Sequence, residues 1–302
     1  MMANNMSRSV GFSALGTSMR AAAQWRLLLL WLLLMLIPAS VVALPLWRML
    51  SGLLDNSVHA AEWAQQFSGI MFSDVLFIFS DHFQWFGAVA IIGLVLTLLL
   101  SPFIDGMIVG SGRAGQVLGF GALLQNGLIE YGRMFRSMLW SLAPYGVLMA
   151  VLAFAGHASD SHAKAAVLES SVDAHNTFVH VVLLIVFVLV QSIVESMRSA
   201  FIADVTLRSA TRALGRGIRQ LLRQPVKTLV FYLVVTLVGL LIASIFAVAR
   251  IHVTAVGGGF LLALLLSQVM LLVIGWMRTA RLFALAEVAR AVVPARVQAE
   301  YR

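Results

Sequence analysis

Residues 27–47 read LLLLWLLLMLIPASVVALPLW, a run without a single charged side chain. A helix needs about 20 mainly apolar residues to cross the hydrocarbon core of a bilayer, and a backbone in lipid must satisfy its own hydrogen bonds. The run, extended to Arg48, is therefore predicted to be a transmembrane helix. Five further stretches meet the same criterion. The six predicted spans cover residues 27–48, 83–104, 138–156, 177–197, 228–250 and 257–279.

The composition of the whole chain supports the same conclusion. Of its 302 residues, 61% are hydrophobic and 11% are charged, against roughly 25% charged in a soluble domain. The alternating polar pattern of an outer-membrane barrel is missing from the sequence. We predict an all-α polytopic membrane protein with six transmembrane helices and interfacial amphipathic helices, folded as a single integral membrane domain over residues 1–302.

Positive charge is distributed unevenly between the segments that join the spans. Segments 1–26, 105–137, 198–227 and 278–302 hold 18 of the 21 Lys and Arg residues, and the opposite side keeps Arg48, Lys164 and Arg250. Because cytoplasmic loops are enriched in Lys and Arg, both termini are predicted to be cytoplasmic, in a multi-pass protein of the bacterial inner (plasma) membrane. Orientation and contact with anionic headgroups then explain the net charge of +8. No nucleic-acid partner is expected.

Short motifs recur near the ends of the even-numbered spans. MRSA at 197–200 returns as MRTA at 277–280, and SPFI at 101–104 resembles SAFI at 199–202. A mixed segment that predicts an amphipathic helix precedes each odd-numbered span. These similarities predict a threefold hairpin repeat with units related by axes along the membrane normal, although the shared composition of membrane helices is an alternative explanation. The predicted units cover residues 12–110, 118–205 and 208–290.

Five arginines share one face of a predicted helix at about 207–224. At roughly 100° per residue they fall within an arc of about 80°, and Leu207, Leu214, Ile218 and Leu221 occupy the opposite face. This pattern is typical of a helix that lies in the membrane interface and contacts anionic headgroups. A solvated helix docked on another cytoplasmic element is the alternative. The predicted headgroup contacts are Arg208, Arg212, Arg216, Arg219 and Arg223.

Few other residues predict a site. Gln191, Glu195 and Arg198 share one face at the end of span four, where they predict either an anchoring ion pair or a contact with a headgroup or substrate. GSGRAG at 110–115 matches GxGxxG, but it follows a span and not a strand, so a flexible cytoplasmic exit is predicted. No catalytic constellation is recognisable and cysteine is missing, so neither enzymatic activity nor a cofactor is expected.

All seven histidines fall in or beside the predicted outer loops. One interpretation is a metal site, since imidazole and carboxylate ligands suit zinc, copper or nickel. A second interpretation is pH sensing, because imidazole titrates near neutral pH. The simplest interpretation, which we favour, is that the arginine-poor side takes the remaining polar residues. The candidate metal ligands are His157, Asp160, His162 and His175, with Asp173 beside them in the same predicted loop.

An arginine-bearing amphipathic helix followed by spans occurs at residues 120–143 and again at 212–233. This layout resembles six-span bacterial inner-membrane proteins, namely the membrane domain attached to some glycerophosphodiester phosphodiesterases and its uncharacterised stand-alone relatives. The likeness covers most of the chain. No catalytic phosphodiesterase domain is recognisable, so that activity is not implied.

The function predicted from these observations is that of a non-enzymatic inner-membrane protein, a component that interacts with membrane lipids or is associated with transport. It would act alone, as a homo-oligomer or with a membrane-protein partner. A small-solute or anion permease acting as an oligomer is one alternative. A membrane-embedded enzyme is the other.

Overall fold

The computed structural model describes residues 11–55, 57–58, 69–81, 83–166, 168–253 and 258–292. Within these ranges the fold is all-α and contains nine helices. They are α1 (Ser13–Ala21), α2 (Trp25–Leu54), α3 (Gly69–Asp81), α4 (Phe83–Ala114), α5 (Phe120–Ala165), α6 (Glu169–Ala203), α7 (Ala210–Arg223), α8 (Pro225–Ile251) and α9 (Gly258–Val292).

Six of the helices, α2, α4, α5, α6, α8 and α9, are long and apolar enough to cross a membrane. This confirms the predicted number of spans and the multi-pass membrane class. Several helices extend well beyond the predicted limits. Helix α5 has 46 residues, which at 1.5 Å per residue is about 69 Å, more than twice the hydrocarbon thickness of about 30 Å.

The amphipathic helices differ in how they join the spans. Helices α1 and α7 are separate, as predicted. The segment that begins at Phe120 is instead continuous with the third span, so Pro144 lies inside one uninterrupted helix. Helix α3 was not predicted. Its 13 residues are too few to cross a bilayer, and Ile70 and Phe77 on it are exposed.

Most of the buried core lies towards one end of the bundle. We call the helix ends near Arg113, Arg198 and Arg278 the arginine-rich ends, and the opposite ends, near His162, the histidine ends. Fully buried apolar residues concentrate at the arginine-rich ends; they include Ile104, Met107, Val194, Met197, Phe201, Ala280, Leu282 and Leu285. Apolar residues towards the histidine ends are largely exposed, among them Leu44, Ile91, Phe154, Leu184, Leu241 and Leu261. These exposed surfaces suit a lipid environment.

Small residues let the helices approach closely at the arginine-rich ends. A Cβ added to Gly106 would lie 3.0 Å from the carbonyl oxygen of Gly127, and one on Gly110 would lie 2.4 Å from the Cβ of Asn126. The predicted flexible exit at 110–115 is therefore wrong. Helix α4 continues through Ala114, because these glycines pack against α5, and only Gly115, with φ +65°, leaves the helical conformation.

The amphipathic helices dock in a cyclic order across the three predicted units. Helix α1 packs on α9, where Trp276 Nε1 donates a 3.0 Å hydrogen bond to the Met19 carbonyl oxygen. The first half of α5 packs on α4, and α7 packs on α6. Each unit thus places its amphipathic helix on the last span of another unit. The repeat itself stays a prediction, and this contact pattern is the one that a threefold arrangement would produce.

Candidate functional site

The arginine-rich ends of α4, α6 and α9 carry five charged residues in one continuous series, which we call the charged chain. Its order is Arg278, Asp105, Arg198, Glu195, Arg281. Arg278 Nη2 lies 2.6 Å from Asp105 Oδ1, and Arg198 Nε lies 3.4 Å from Asp105 Oδ2. Arg198 Nη1 and Arg281 Nη2 lie 3.9 and 3.4 Å from Glu195 Oε1. Each carboxylate is therefore shared by two guanidinium groups, and the chain joins three transmembrane helices.

Burial makes this pairing necessary. Asp105 and Glu195 are each only 3% exposed, and a buried charge without a partner is strongly destabilising. The charged chain contains three guanidinium groups and two carboxylates, so it carries one excess positive charge. At its α8 end, Arg281 also contacts Thr236 Oγ1 at 3.4 Å and stacks over the Tyr232 ring, with 5.3 Å between its Cζ and the ring centroid.

The structure joins two of the three residues of the predicted polar site. Glu195 and Arg198 form the predicted i, i+3 pair. Gln191 instead accepts a 3.2 Å hydrogen bond at Oε1 from the Tyr145 hydroxyl on α5. The other members, Asp105, Arg278 and Arg281, were not predicted as part of this site. One sequence signal did point to Arg278: the MRSA and MRTA motifs place Arg198 and Arg278 at equivalent positions.

A second buried carboxylate lies between α4 and α5. Glu130 Oε1 accepts from Arg113 Nη1 at 2.6 Å and from Arg133 Nη1 at 3.2 Å. Arg113 Nε also donates to the Phe201 carbonyl oxygen on α6 at 2.8 Å. Arg113 therefore joins α4 to both neighbouring helices. The sequence alone did not reveal this group, because Arg113 lies 17 residues before Glu130 and their contact depends on the close approach of α4 and α5.

Helix α7 presents the five predicted headgroup arginines. All five are exposed: Arg208, just before the helix, and Arg212, Arg216, Arg219 and Arg223. The opposite side of the helix is buried against the bundle by small or polar residues, namely Ala210, Ala213, Gly217 and Gln220. A Cβ on Gly217 would lie 2.8 Å from the Ile193 carbonyl oxygen and the Met197 nitrogen of α6. The arginine arc is thus directed away from the protein core.

The predicted apolar face of this helix needs correction. Leu207 is buried, Leu214 and Leu221 are half-buried, and Ile218 is exposed. The helix is held by close packing of small residues, so its large apolar side chains are divided between the bundle and the surface. It begins at Ala210, where the Ser209 hydroxyl accepts a hydrogen bond from the Arg212 backbone N–H, rather than at 207.

A surface ion pair fixes the turn between α6 and α7. Arg216 Nη1 lies 2.6 Å from Asp204 Oδ2, and the Thr206 hydroxyl and backbone N–H both donate to Asp204 Oδ1. Burial alone would raise the pKa of the Asp204 carboxyl. The hydrogen bonds from Thr206 and Arg216 outweigh that effect and hold its pKa below the ordinary value.

The histidine ends bring together two of the predicted metal ligands. The rings of His162 and His175 are stacked, with 4.3 Å between their centroids, whereas His157 and Asp160 are exposed. The region is not the predicted long loop, because α5 continues to Ala165 and α6 begins at Glu169. No group of three or more His, Asp or Glu side chains that could hold a metal ion occurs in the described ranges. The structure therefore does not assemble the four-ligand set. His59 and His82 lie outside the described residues.

Comparisons with protein-family models, with curated proteins and with solved structures gave no match for this chain. The resemblance in layout to the membrane domain of glycerophosphodiester phosphodiesterases stays a prediction. The function must be inferred from the surfaces and charges of the chain itself.

Proposed function

We propose that this protein is a non-enzymatic multi-pass component of the bacterial inner membrane that binds anionic lipid headgroups through α7. The observation that carries the proposal is the exposure of five arginines, Arg208 just before α7 and four on the side of α7 that faces away from its packed side. A guanidinium near an anionic bilayer surface contributes on the order of 1 kcal/mol of attraction. Both termini and the arginine-rich ends would lie on the cytoplasmic side.

The apolar residues beside the arginines support an interfacial position. Ile218 and Leu222 are 40% and 76% exposed on the same helix. They lie between the packed side and the arginine arc, where they would enter the boundary between headgroups and acyl chains. An interfacial helix combines these two kinds of surface. The packing of Gly217 on α6 would hold both surfaces at a fixed angle to the bundle.

The test compares full-length protein with a variant carrying Arg212→Gln, Arg219→Gln and Arg223→Gln. Each protein is reconstituted into nanodiscs of mixed phosphatidylglycerol and phosphatidylcholine, and the lipids that remain bound after extraction are quantified by mass spectrometry. At low salt the wild type should retain phosphatidylglycerol selectively. Removal of three charges should weaken that preference by on the order of 100-fold, from about 1 kcal/mol per arginine.

The matched control replaces the same three residues with Lys, which keeps the charge and should keep the preference. Raising the salt to 0.5 M should reduce the preference of the wild type, because the screening length then falls to about 4 Å. Equal retention of both lipids by the wild type at low salt would refute a headgroup role for α7.

An anion permease is a second candidate, and the excess positive charge of the charged chain favours it. A buried site with three guanidinium groups against two carboxylates attracts an anion more readily than a cation. Uptake of radiolabelled anions into proteoliposomes tests this alternative. Uptake that depends on Arg281 would support a permease, and uptake equal to that of empty liposomes would refute it.

A further inference from the structure

A cleft of 670 Å³ lies between α2 and α4 at the histidine ends, at the opposite end of the bundle from α7. One wall is a single face of α2, where the i, i+4 spacing aligns Leu44 with Arg48 and Pro45 with Met49. Trp85 of α4 forms the other wall. The volume is within the range of small-ligand sites, about 300–1,000 Å³. Leu44 and Trp85 are 61% and 39% exposed, so a ligand can reach both walls from the surrounding bilayer.

Contacts below and beside the cleft hold its walls in place. A Cβ added to Gly93 of α4 would overlap the side chain of Val42 on α2, so the two helices touch directly at that level. Trp85 precedes Gly93 by eight residues, about 12 Å along a helix, so the cleft lies that far towards the histidine ends. On another side of α2, the Trp47 ring packs edge-on against the Phe260 ring of α9, with 5.9 Å between the centroids. The cleft is therefore bounded by helices that other contacts already position.

Arg48 is the charged group of the described cleft lining. It is exposed, and it is one of the three basic residues on the arginine-poor side of the sequence. Its backbone carbonyl oxygen accepts a 3.3 Å hydrogen bond from the Ser51 hydroxyl, but its guanidinium group has no hydrogen bond or ion pair with any residue that the structure describes. The enrichment of cytoplasmic loops in Lys and Arg gives no reason for a cation at this end. The guanidinium group is thus accessible to an anion.

We propose that this cleft binds one anionic phospholipid, of the phosphatidylglycerol type, from the leaflet at the histidine ends. Its phosphate pairs with Arg48, and an acyl chain lies along Leu44, Pro45 and Met49. A hydrogen bond between a guanidinium group and a phosphate oxygen is roughly twice as strong as a neutral one. The apolar stem of an arginine can rest on the same surface while its charged head reaches the headgroups. Trp85 suits this depth, because indole rings are enriched at membrane–water interfaces.

The lining favours this occupant over two others. A zwitterionic phospholipid also carries an ammonium group, and none of the described lining residues is acidic. One guanidinium group without a carboxylate partner matches the single negative charge of phosphatidylglycerol. A soluble anion would contact only Arg48, whereas the other four described lining residues are apolar or aromatic and can be covered by an acyl chain.

Fluorescence quenching by brominated lipids tests the proposal, because bromine quenches an indole ring only at short range and Trp85 lies in the cleft. Full-length protein and its Trp85→Phe variant are reconstituted into phosphatidylcholine vesicles with rising fractions of brominated phosphatidylglycerol or brominated phosphatidylcholine. The difference between the two proteins isolates the signal of Trp85. Brominated phosphatidylglycerol should quench that signal at an about fivefold lower mole fraction, the factor that one arginine near an anionic headgroup provides.

Substitutions of Arg48 identify the contact. Arg48→Gln should abolish the fivefold preference and Arg48→Lys should keep it; because the side chain is exposed, neither change disturbs the core. Arg250→Gln is the matched control. It makes the same change at the histidine ends but outside the cleft, where the Arg250 guanidinium group donates to the Val253 carbonyl oxygen at 3.4 Å. Each variant is compared with its own Trp85→Phe counterpart.

Equal quenching of Trp85 by the two lipids overturns the proposal, as does a preference that survives Arg48→Gln or that Arg250→Gln reduces equally. Relief of the quenching by millimolar glycerophosphoglycerol, which is the headgroup without its acyl chains, would assign the cleft to a soluble anion and would also overturn it. The triple Gln variant of α7 should leave the preference at Trp85 unchanged, because no α7 residue lines the cleft. Failure of this proposal is therefore distinguishable from failure of the proposed function of α7.

Discussion

The charged chain makes a sharp prediction about stability. Asp105→Asn removes the carboxylate that Arg198 and Arg278 share, at 3.4 and 2.6 Å, while keeping the size of the side chain. Asp105 is 3% exposed, so water cannot reach the guanidinium groups in place of the lost carboxylate. Breaking a buried ion pair by removing one partner costs about 3–5 kcal/mol, because the remaining charge stays buried. We expect the free energy of unfolding to fall by that amount.

A second ion pair of the protein, outside the charged chain, provides the control. The Asp204 to Arg216 pair has the same 2.6 Å separation, but the Arg216 side chain is 42% exposed. Exposed pairs contribute about 0–1 kcal/mol. Asp204→Asn should therefore cost at most about 1 kcal/mol. The two substitutions make the same chemical change at the same closest distance, so a difference between them measures the combined effect of burial and of the second guanidinium partner of Asp105.

Melting temperatures of the purified proteins in a mild detergent, followed by tryptophan fluorescence, provide the assay. At about 2–4 °C per kcal/mol, Asp105→Asn should lower the melting temperature by roughly 6–20 °C and Asp204→Asn by roughly 4 °C or less. Adding Arg278→Gln to Asp105→Asn should recover part of the loss, because contacting charges are not additive. Equal shifts for the two single variants, or a fully additive double variant, would refute the reasoning.

Three further predictions concern α7 and the topology. Gly217→Ala should destabilise the protein by about 1–3 kcal/mol, because the added Cβ would lie 2.8 Å from the backbone of α6. Gly215→Ala should stabilise α7 by about 1 kcal/mol, because no atom lies within 4 Å of the added Cβ. Thermal melts of the two variants compare these effects. The pKa of Asp204 is lower in the folded state than in the unfolded state, so its carboxylate stabilises the fold fully above about pH 4. This stabilisation is lost as the pH falls through the lowered pKa. The melting temperatures of wild type and Asp204→Asn should therefore converge in acid. Cysteine at position 161 in place of Ser161 should react with an impermeant thiol reagent on intact cells and cysteine in place of Ser209 should not; the reverse pattern would invert the orientation.

The spans were predictable because lipid excludes unpaired charge. Five of the six predicted spans lie entirely within a long apolar helix of the structure, and the sixth lies within α9 from residue 258 onward, since residue 257 is outside the described residues. Their ends were less predictable. The sequence predicts that spans two and four end just before Asp105 and Arg198, since a charge is the usual sign of a helix leaving the hydrocarbon. Both residues instead lie inside longer helices, because each pairs with charges on other helices.

The candidate site was predictable only in its local part. The i, i+3 spacing of Glu195 and Arg198 fixes their proximity on any helix, and the structure has that pair. Asp105 contacts Arg198 from 93 residues away in the sequence, and Arg281 contacts Glu195 from 86 residues away. Hydropathy and periodicity describe one helix at a time, so they cannot place two such helices side by side. A repeat is the exception, because equivalent residues of different units are expected to meet near a common axis.

Helix α7 shows why the size of a residue matters as much as its hydrophobicity. The arginines of the predicted arc are exposed, but the packed side consists of Ala213 and Gly217 more than of leucines. Within a membrane protein the gain on packing comes from close approach of the backbones, which small residues permit and large ones prevent. Because α7 is held through these small residues, Ile218 and Leu222 are left exposed beside the arginines. The surface that we propose to meet the lipid headgroups is thus a direct consequence of packing a helix by its smallest side chains.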